Sequence, residues 1–421
     1  MISSVKINFM WMLAANVIYS FFQWLSVPLI GRLTNWETLG VFVLGISVNS
    51  PIFIFSWLQL RAIQATDSTQ RYPFGLYMYA RCLTTCVAFL LVLSVGVVSI
   101  TDANTFDVVM SLSIVKIIES LSDIIYGRFQ REEEMDLIAK SMILRSVASQ
   151  TGFILTLYFS KSLVSSIAVM TLISLMVLLR YDTYNLLHSL KKNVGAEWNS
   201  LKNLIIRLID ISSGRNGQLL TLIWLGLPMG LHGFLFTLKP NIPRYVLQYF
   251  SGERDLGIFA AIVSVTMVGN TIVNAIGTAV LPPLSRSFME KNKSSIRSWV
   301  IRLISFSFLI GTSGLLASIY FGREIMFFLY GYESGDAIQA LPVVMFGALI
   351  ANMSSMLAIA LIASQNFWIL VPVYGSVCLV NLATSTGLTA IYGLWGSIYG
   401  TVVTETIQFA GLCWAFKHSS K

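Results

Sequence analysis

The sequence predicts an all-α integral membrane protein with about twelve transmembrane helices. Three observations predict it. Charged residues make up 11% of the 421 residues and hydrophobic residues 55%, whereas a soluble globular chain carries about 25% charged residues. Mean hydropathy is +0.73, so too few water-seeking side chains remain to coat one core. Twelve mainly apolar stretches are long enough to cross a bilayer, which takes roughly 20 helical residues. Finally, the basic residues are distributed asymmetrically. The net charge of +8 would suggest nucleic acid in a soluble chain, but here Lys and Arg fall between apolar stretches and follow the positive-inside bias.

The expected spans are 9–30, 38–59, 77–100, 106–126, 138–159, 162–180, 219–238, 256–282, 298–321, 339–362, 366–389 and 394–416. The first follows a segment whose one charge is Lys6, is too long for a signal-peptide core and lacks a cleavage site behind it, so it reads as a retained span. With both termini cytoplasmic, 19 of the 28 Lys and Arg fall inside. Six fall outside (Arg32, Lys161, Lys239, Arg244, Arg254 and Arg323), and three lie within spans. The longest connection, 181–218, carries Trp198, Leu201, Leu204, Ile205 and Leu208 at helical spacing. That pattern fits an amphipathic helix in the inner interface.

This connection falls at mid-chain, giving an expected division into a six-helix lobe over 1–185, a linker over 186–217 and a second six-helix lobe over 218–421. A repeat supports it. Leu39-Gly40-Val41-Phe42 precedes Ser47-Val48, and Leu256-Gly257-Ile258-Phe259 precedes Ser264-Val265 at the same interval. Each copy opens the second span of its half. Duplicated halves are a common transporter plan.

Ionisable groups within spans cost about 2.5–3.5 kcal/mol on insertion scales and usually face a bundle interior or a wet cavity. In the fourth span Lys116, Glu119 and Asp123 stand at i, i+3 and i+7 and share one helical face. Arg81 and Arg145 lie one to two turns inside the ends of neighbouring spans, and Arg61 stands at a span end, where snorkelling to the interface is the simple reading. Two readings of the group are open. One is a cationic cavity that takes an anionic headgroup, since Arg61, Arg81, Lys116 and Arg145 outnumber Glu119 and Asp123. The other is a set of internal salt bridges, such as Arg81–Asp123 or Lys116–Glu119. In the second half, Gly226, Pro228, Gly230 and Gly233 followed by Pro240 and Pro243 predict a bent span, with Lys239 and Arg244 available to anionic groups. Glu405 stands alone in the last span, a candidate for proton coupling.

Enzyme chemistry has little support. His188, His232 and His418 lack metal-ligand spacing, and no Walker motif or GxSxG elbow is present. Cys82, Cys86, Cys378 and Cys413 form no CxxC pair and read as small buried hydrophobes. Neither cofactor, metal nor nucleic acid is expected.

Several stretches carry a family resemblance: Glu37-Thr38-Leu39-Gly40-Val41-Phe42, Gln59 to Asp67, Asn241-Ile242-Pro243-Arg244-Tyr245, Asp255 to Ala260, Pro282-Pro283-Leu284-Ser285, and Tyr392 to Ser397. With the span count and two similar halves, the chain resembles the multidrug/oligosaccharidyl-lipid/polysaccharide flippase superfamily, and within it the Wzx-type flippases of O-antigen or capsular repeat units. The resemblance implies two lobes around a central cavity in the bacterial inner membrane. It also implies an undecaprenyl-diphosphate-linked oligosaccharide as substrate, with a polysaccharide polymerase and a chain-length regulator as partners. By type and position it places Arg61, Arg81, Lys116, Arg145 and Arg244 in a cationic cavity. The competing reading is a proton- or sodium-coupled drug exporter of the related branch, for which Glu119 and Asp123 would supply the coupling carboxylates.

Overall fold

The computed structural model describes residues 2–67, 71–194, 216–290, 292–331, 334–364 and 369–419. The described residues are helical almost throughout. The first part comprises α1 (Ile2–Leu33), α2 (Trp36–Trp57), α3 (Leu60–Thr66), α4 (Phe74–Ser99), α5 (Ala103–Arg131), α6 (Met135–Ser160) and α7 (Leu163–Val177). A π-helical turn (Leu178–Asp182) then leads into α8 (Thr183–Val194). The second part comprises α9 (Asn216–Met289), α10 (Lys293–Tyr330), α11 (Gly335–Ala363), α12 (Leu370–Tyr392) and α13 (Leu394–Ser419). The amphipathic stretch expected from Trp198 to Leu208 lies outside the described residues.

Within the described residues each expected span falls on one of these helical stretches to within a few residues at its ends. Among the described residues, eight helical stretches meet the length and apolarity needed to cross a bilayer. α9 holds two expected spans, one before and one after a break at Gly252, and α5, α6 and α13 fall short of that apolarity because they carry polar side chains. The outward surface is apolar: Val98 is 84% exposed and Phe159 80%. In water such a surface would be an aggregation liability, but against acyl chains it costs nothing. The chain is a multi-pass α-helical membrane protein.

The chain divides into two compact units. The first holds Met1–Ser26 and Gly45–Phe234, the second Val27–Leu44 and Leu235–Lys421. In the first unit α4, α6, α7 and the short α3 pack with α5. Its apolar clusters are Phe74, Ile118, Phe129 and Ile138, and Leu60, Tyr77, Ala80 and Leu222. In the second unit α10 packs on α11, and α13 packs on both α11 and α12, around Leu303, Leu361, Tyr374 and Leu412.

The two copies of the sequence repeat meet within the second unit. A Cβ placed on Gly40 would run into the carbonyl group of Glu253, 2.7 Å from its carbon, and one on Gly257 would stand 2.8 Å from the carbonyl carbon of Trp36. Each glycine therefore sits on the residue four places before the other, a local two-fold relation. Small residues permit such close backbone approach.

The Gly/Pro-rich part of α9 is not interrupted as a helix. Helical dihedrals persist through Pro228, Pro240 and Pro243, and the break comes at Gly252, with φ of 83°. The glycines serve packing instead. Cβ atoms on Gly226 and Gly230 would come 2.6 Å from the Leu58 carbonyl oxygen and 2.9 Å from its Cδ2. The proline at 243 removes the N–H that would bond to the Lys239 carbonyl, and the Asn381 side chain replaces it at 2.7 Å.

Candidate functional site

The first group of candidate residues is assembled around α5. Arg61 reaches it because the chain breaks at Leu58 and Gln59, both left-handed at φ 47° and 51°. Non-glycine residues rarely adopt that conformation, and it is strained. The break ends α2 and starts α3 in a new direction, packed on α5. At that crossing Gly127 lies against the Arg61 backbone.

Arg81, on α4, is fully buried, and its Nη2 lies 2.9 Å from Asp123 Oδ2. Arg61 Nη1 lies 3.4 Å from the other oxygen, Oδ1, and its Nε donates to Gln130 at 3.1 Å. One carboxylate thus serves two guanidinium groups. The Arg81 guanidinium also lies 5.9 Å from the Trp57 ring centre and that of Arg61 5.5 Å from Tyr126, within the range of cation–π attraction. Among the described residues, Nε and Nη1 of Arg81 and Nε1 of Trp57 have no hydrogen-bond partner. Buried donors are costly to leave unpaired.

Lys116 pairs with Glu119 at 2.7 Å along the same helix, and Tyr19 of α1 hydrogen-bonds Glu119. Arg145, on α6, is held elsewhere: its Nη2 lies 2.7 Å from Asp182 Oδ2 and also donates to Ser122. Ser141 donates to the other oxygen of Asp182 at 2.5 Å and meets Tyr126 at 2.7 Å. Asp182 was not among the expected residues. It lies two places past the expected end of its span, and the π-helical turn, with its wider i→i+5 bonding, carries it into the buried interior. Four cations (Arg61, Arg81, Lys116, Arg145) therefore face three carboxylates (Glu119, Asp123, Asp182), and the surplus sits at Asp123. Both pairings named by the salt-bridge reading, Arg81–Asp123 and Lys116–Glu119, are present.

The remaining candidates lie together in the second unit. Lys239 of α9 places its ammonium 2.6 Å from Glu405 Oε1 and 2.8 Å from Gln408 Oε1, both on α13. Glu405 is thus not alone in its helix environment; a residue 166 positions away pairs with it. Arg244 donates to Asn241 at 2.9 Å. A cavity of about 150 Å³ is lined by Lys239, Arg244 and Glu405 together with Asn270, Asn381 and Thr404. No group of three His, Cys, Asp or Glu side chains suited to a metal occurs among the described residues.

Comparison with known proteins places this geometry. A family model described as "Polysaccharide biosynthesis protein" matches residues 5–289. The capsular polysaccharide biosynthesis protein CapF of Staphylococcus aureus is 24% identical over 361 residues, covering 86% of each chain. Among solved structures, an inward-facing multidrug resistance MATE family transporter of the MOP superfamily superposes with a TM-score of 0.70 at 14% identity, over 96% of this chain and 94% of that one. A MOP superfamily transporter from Pyrococcus furiosus, described as having a binding pocket of reversed polarity, gives 0.65 at 16% identity, over 99% and 95%. The fold is that of the MOP transporters, and the family match agrees with the resemblance drawn from the sequence. The chain belongs to the polysaccharide biosynthesis protein family.

Proposed function

We propose that this protein is a flippase. It moves undecaprenyl-diphosphate-linked oligosaccharide repeat units from the inner to the outer leaflet of the bacterial cytoplasmic membrane by alternating access, for O-antigen, capsule or exopolysaccharide assembly. Family membership and the MOP fold support a transporter working in polysaccharide biosynthesis rather than an enzyme. The observation that carries the reading is the Arg61–Arg81 pair on one carboxylate, with Arg81 donors left over inside membrane-spanning helices. A diphosphate cannot cross hydrocarbon unaided, and the planar guanidinium fork suits its oxygens. Lys116 and Arg145 extend the basic character of the same helices, and Arg244 supplies it in the second unit. Glu119, Asp123 and Glu405 are the carboxylates available for coupling to an ion gradient. The excess of basic residues over acidic ones in connections facing inward supports cytoplasmic termini. The product would pass to a polymerase and a chain-length regulator.

Arg61→Ala tests the reading. Arg61 is 26% exposed and Arg81 keeps Asp123 paired without it, so protein level is expected to hold. Export of the mature glycan is expected to fall about tenfold, the worth of one charge-assisted hydrogen bond. Normal export, read by glycan immunoblot at equal protein level, would leave the arginines a purely structural role.

A further inference from the structure

The cavity in the second unit is walled by groups that accept hydrogen bonds. Thr266 and Asn270 stand one turn apart on α9, Thr401 and Glu405 stand one turn apart on α13, and all four line the same space. Each threonine spends its one hydroxyl proton on its own helix. Thr266 donates to the Val263 carbonyl at 2.7 Å, and Thr401 to that of Ser397 at 2.9 Å. What these hydroxyls still offer is lone pairs. Donors on the wall are bonded within the protein: Lys239 to Glu405 and Gln408, Asn381 to the Lys239 carbonyl, and Arg244 to Asn241. Glu405 is paired with the Lys239 ammonium through Oε1, whereas its Oε2 is buried and has no hydrogen-bond partner among the described residues. Glu405 is 8% exposed, so bulk water does not serve that oxygen. A buried acceptor without a donor is costly.

We propose that this cavity is a sugar subsite. It takes one uncharged, hydroxylated ring, whose O–H groups donate to Glu405 Oε2, Thr266 and Thr401 and meet the Asn270 amide, which both donates and accepts. Three properties of the wall select that ligand. The unmet need is for donors, and a sugar ring carries several. Lys239 already supplies the countercharge of Glu405, so the donor that fits is neutral and a cation is not called for. The volume of about 150 Å³ is that of a cavity that admits one benzene-sized ring. Phe259, Val263 and Val344 complete the lining, and apolar walls with a few placed polar groups are the usual form of a small-molecule site. The inference rests on the flippase reading for the source of the ring, a neutral sugar of the lipid-linked oligosaccharide. It assigns part of the choice among glycans to the second unit, because a sugar whose hydroxyl misses Glu405 leaves Oε2 bare.

The binding is measured without transport. The full chain in lipid nanodiscs is mixed with neutral methyl glycosides (glucoside, galactoside, mannoside, rhamnoside and N-acetylglucosaminide) and with glucuronate and glucosamine as charged controls. Contact is read by saturation-transfer NMR, which registers weak binding. Transfer to at least one neutral glycoside is expected. Ala351→Leu fills the space from α11, where Ala351 lines it, and leaves every polar group in place. It is expected to abolish the transfer. Thr401→Val keeps the shape of the wall and removes one acceptor, and is expected to weaken binding about fivefold, the worth of one neutral hydrogen bond. The Thr401 hydroxyl proton serves its own helix, so the fold is expected to hold, and thermal unfolding of both variants checks this. Glu405 itself is left in place, because its removal would strand the Lys239 ammonium. Among deoxy analogues of the glycoside that binds, one is expected to lose about tenfold, since it leaves Glu405 Oε2 without a donor. Transfer to a neutral glycoside that Ala351→Leu abolishes upholds the inference. Transfer to none of the neutral panel, transfer to a charged control alone, or transfer that survives Ala351→Leu overturns it, even where the protein flips lipid. A glycoside bound in this cavity by a protein that flips no lipid keeps the subsite and refutes the flippase reading.

Discussion

Asp123→Asn is expected to be the most damaging single substitution in the first unit, at about 3–5 kcal/mol. The asparagine keeps the shape of the side chain and removes its charge. Arg81 has no exposure with which to recover hydration, and guanidinium does not deprotonate in proteins. Its two other nitrogens already lack partners among the described residues, so the charge would be left buried and uncompensated. Thermal unfolding in one detergent would check it. Arg81→Met in the Asp123→Asn background is expected to restore part of the loss, because the stranded charge goes with the arginine. A double mutant no more stable than Asp123→Asn alone would show that the cost lies elsewhere. Arg61 gives the contrast: it is partly exposed and shares Gln130, so its removal affects the substrate more than the fold.

Gly40→Val is expected to cost about 1–3 kcal/mol, the usual range for overpacking a close contact. The obstacle is the backbone carbonyl of Glu253 rather than a side chain that can swing away. Gly257→Val is expected to cost a similar amount, because its obstacle is the carbonyl of Trp36 in the mirrored position. The two glycines share one crossing, so the double substitution should cost less than the sum. Gly375→Ala and Gly387→Ala are controls, since nothing lies within 4 Å of an added Cβ at either place. Equal effects at the crossing and at the controls would mean that the repeat motif is not a packing contact.

The fold was readable because a bilayer imposes one strong rule, a run of apolar residues long enough to cross it. That rule located helices even in α5, where Lys116, Glu119 and Asp123 interrupt the run, because the interruptions fall on one face. It failed where the constraint is not apolarity. From Gly226 to Pro243 the prolines leave the helical dihedrals intact, and the non-helical residue is Gly252, which the Gly/Pro pattern did not single out. Proline keeps a helical φ, and the carbonyl that Pro243 leaves open at Lys239 is met by Asn381 from another helix, a compensation no local pattern reveals. Asp182 escaped notice because a π-helical turn alters the register just past the expected span end. The Lys239–Glu405 pair escaped notice because hydropathy placed Lys239 in an external connection, whereas α9 stays helical there. Its partner lies too far along the chain for spacing to suggest it. The basic residues of the spans, in contrast, were legible as residues, and the two pairings named for them, Arg81–Asp123 and Lys116–Glu119, are both observed.

The measurement that tests the central claim most directly is lipid flipping by the purified protein in liposomes. The substrate is a labelled undecaprenyl-diphosphate oligosaccharide, with drug-like organic cations run in parallel. The account predicts protein-dependent movement of the lipid, none of the cations, and loss of most of the movement in Arg61→Ala. Efflux of the cations without movement of the lipid would contradict it, and would recast Glu119 and Asp123 as the coupling carboxylates of a drug exporter.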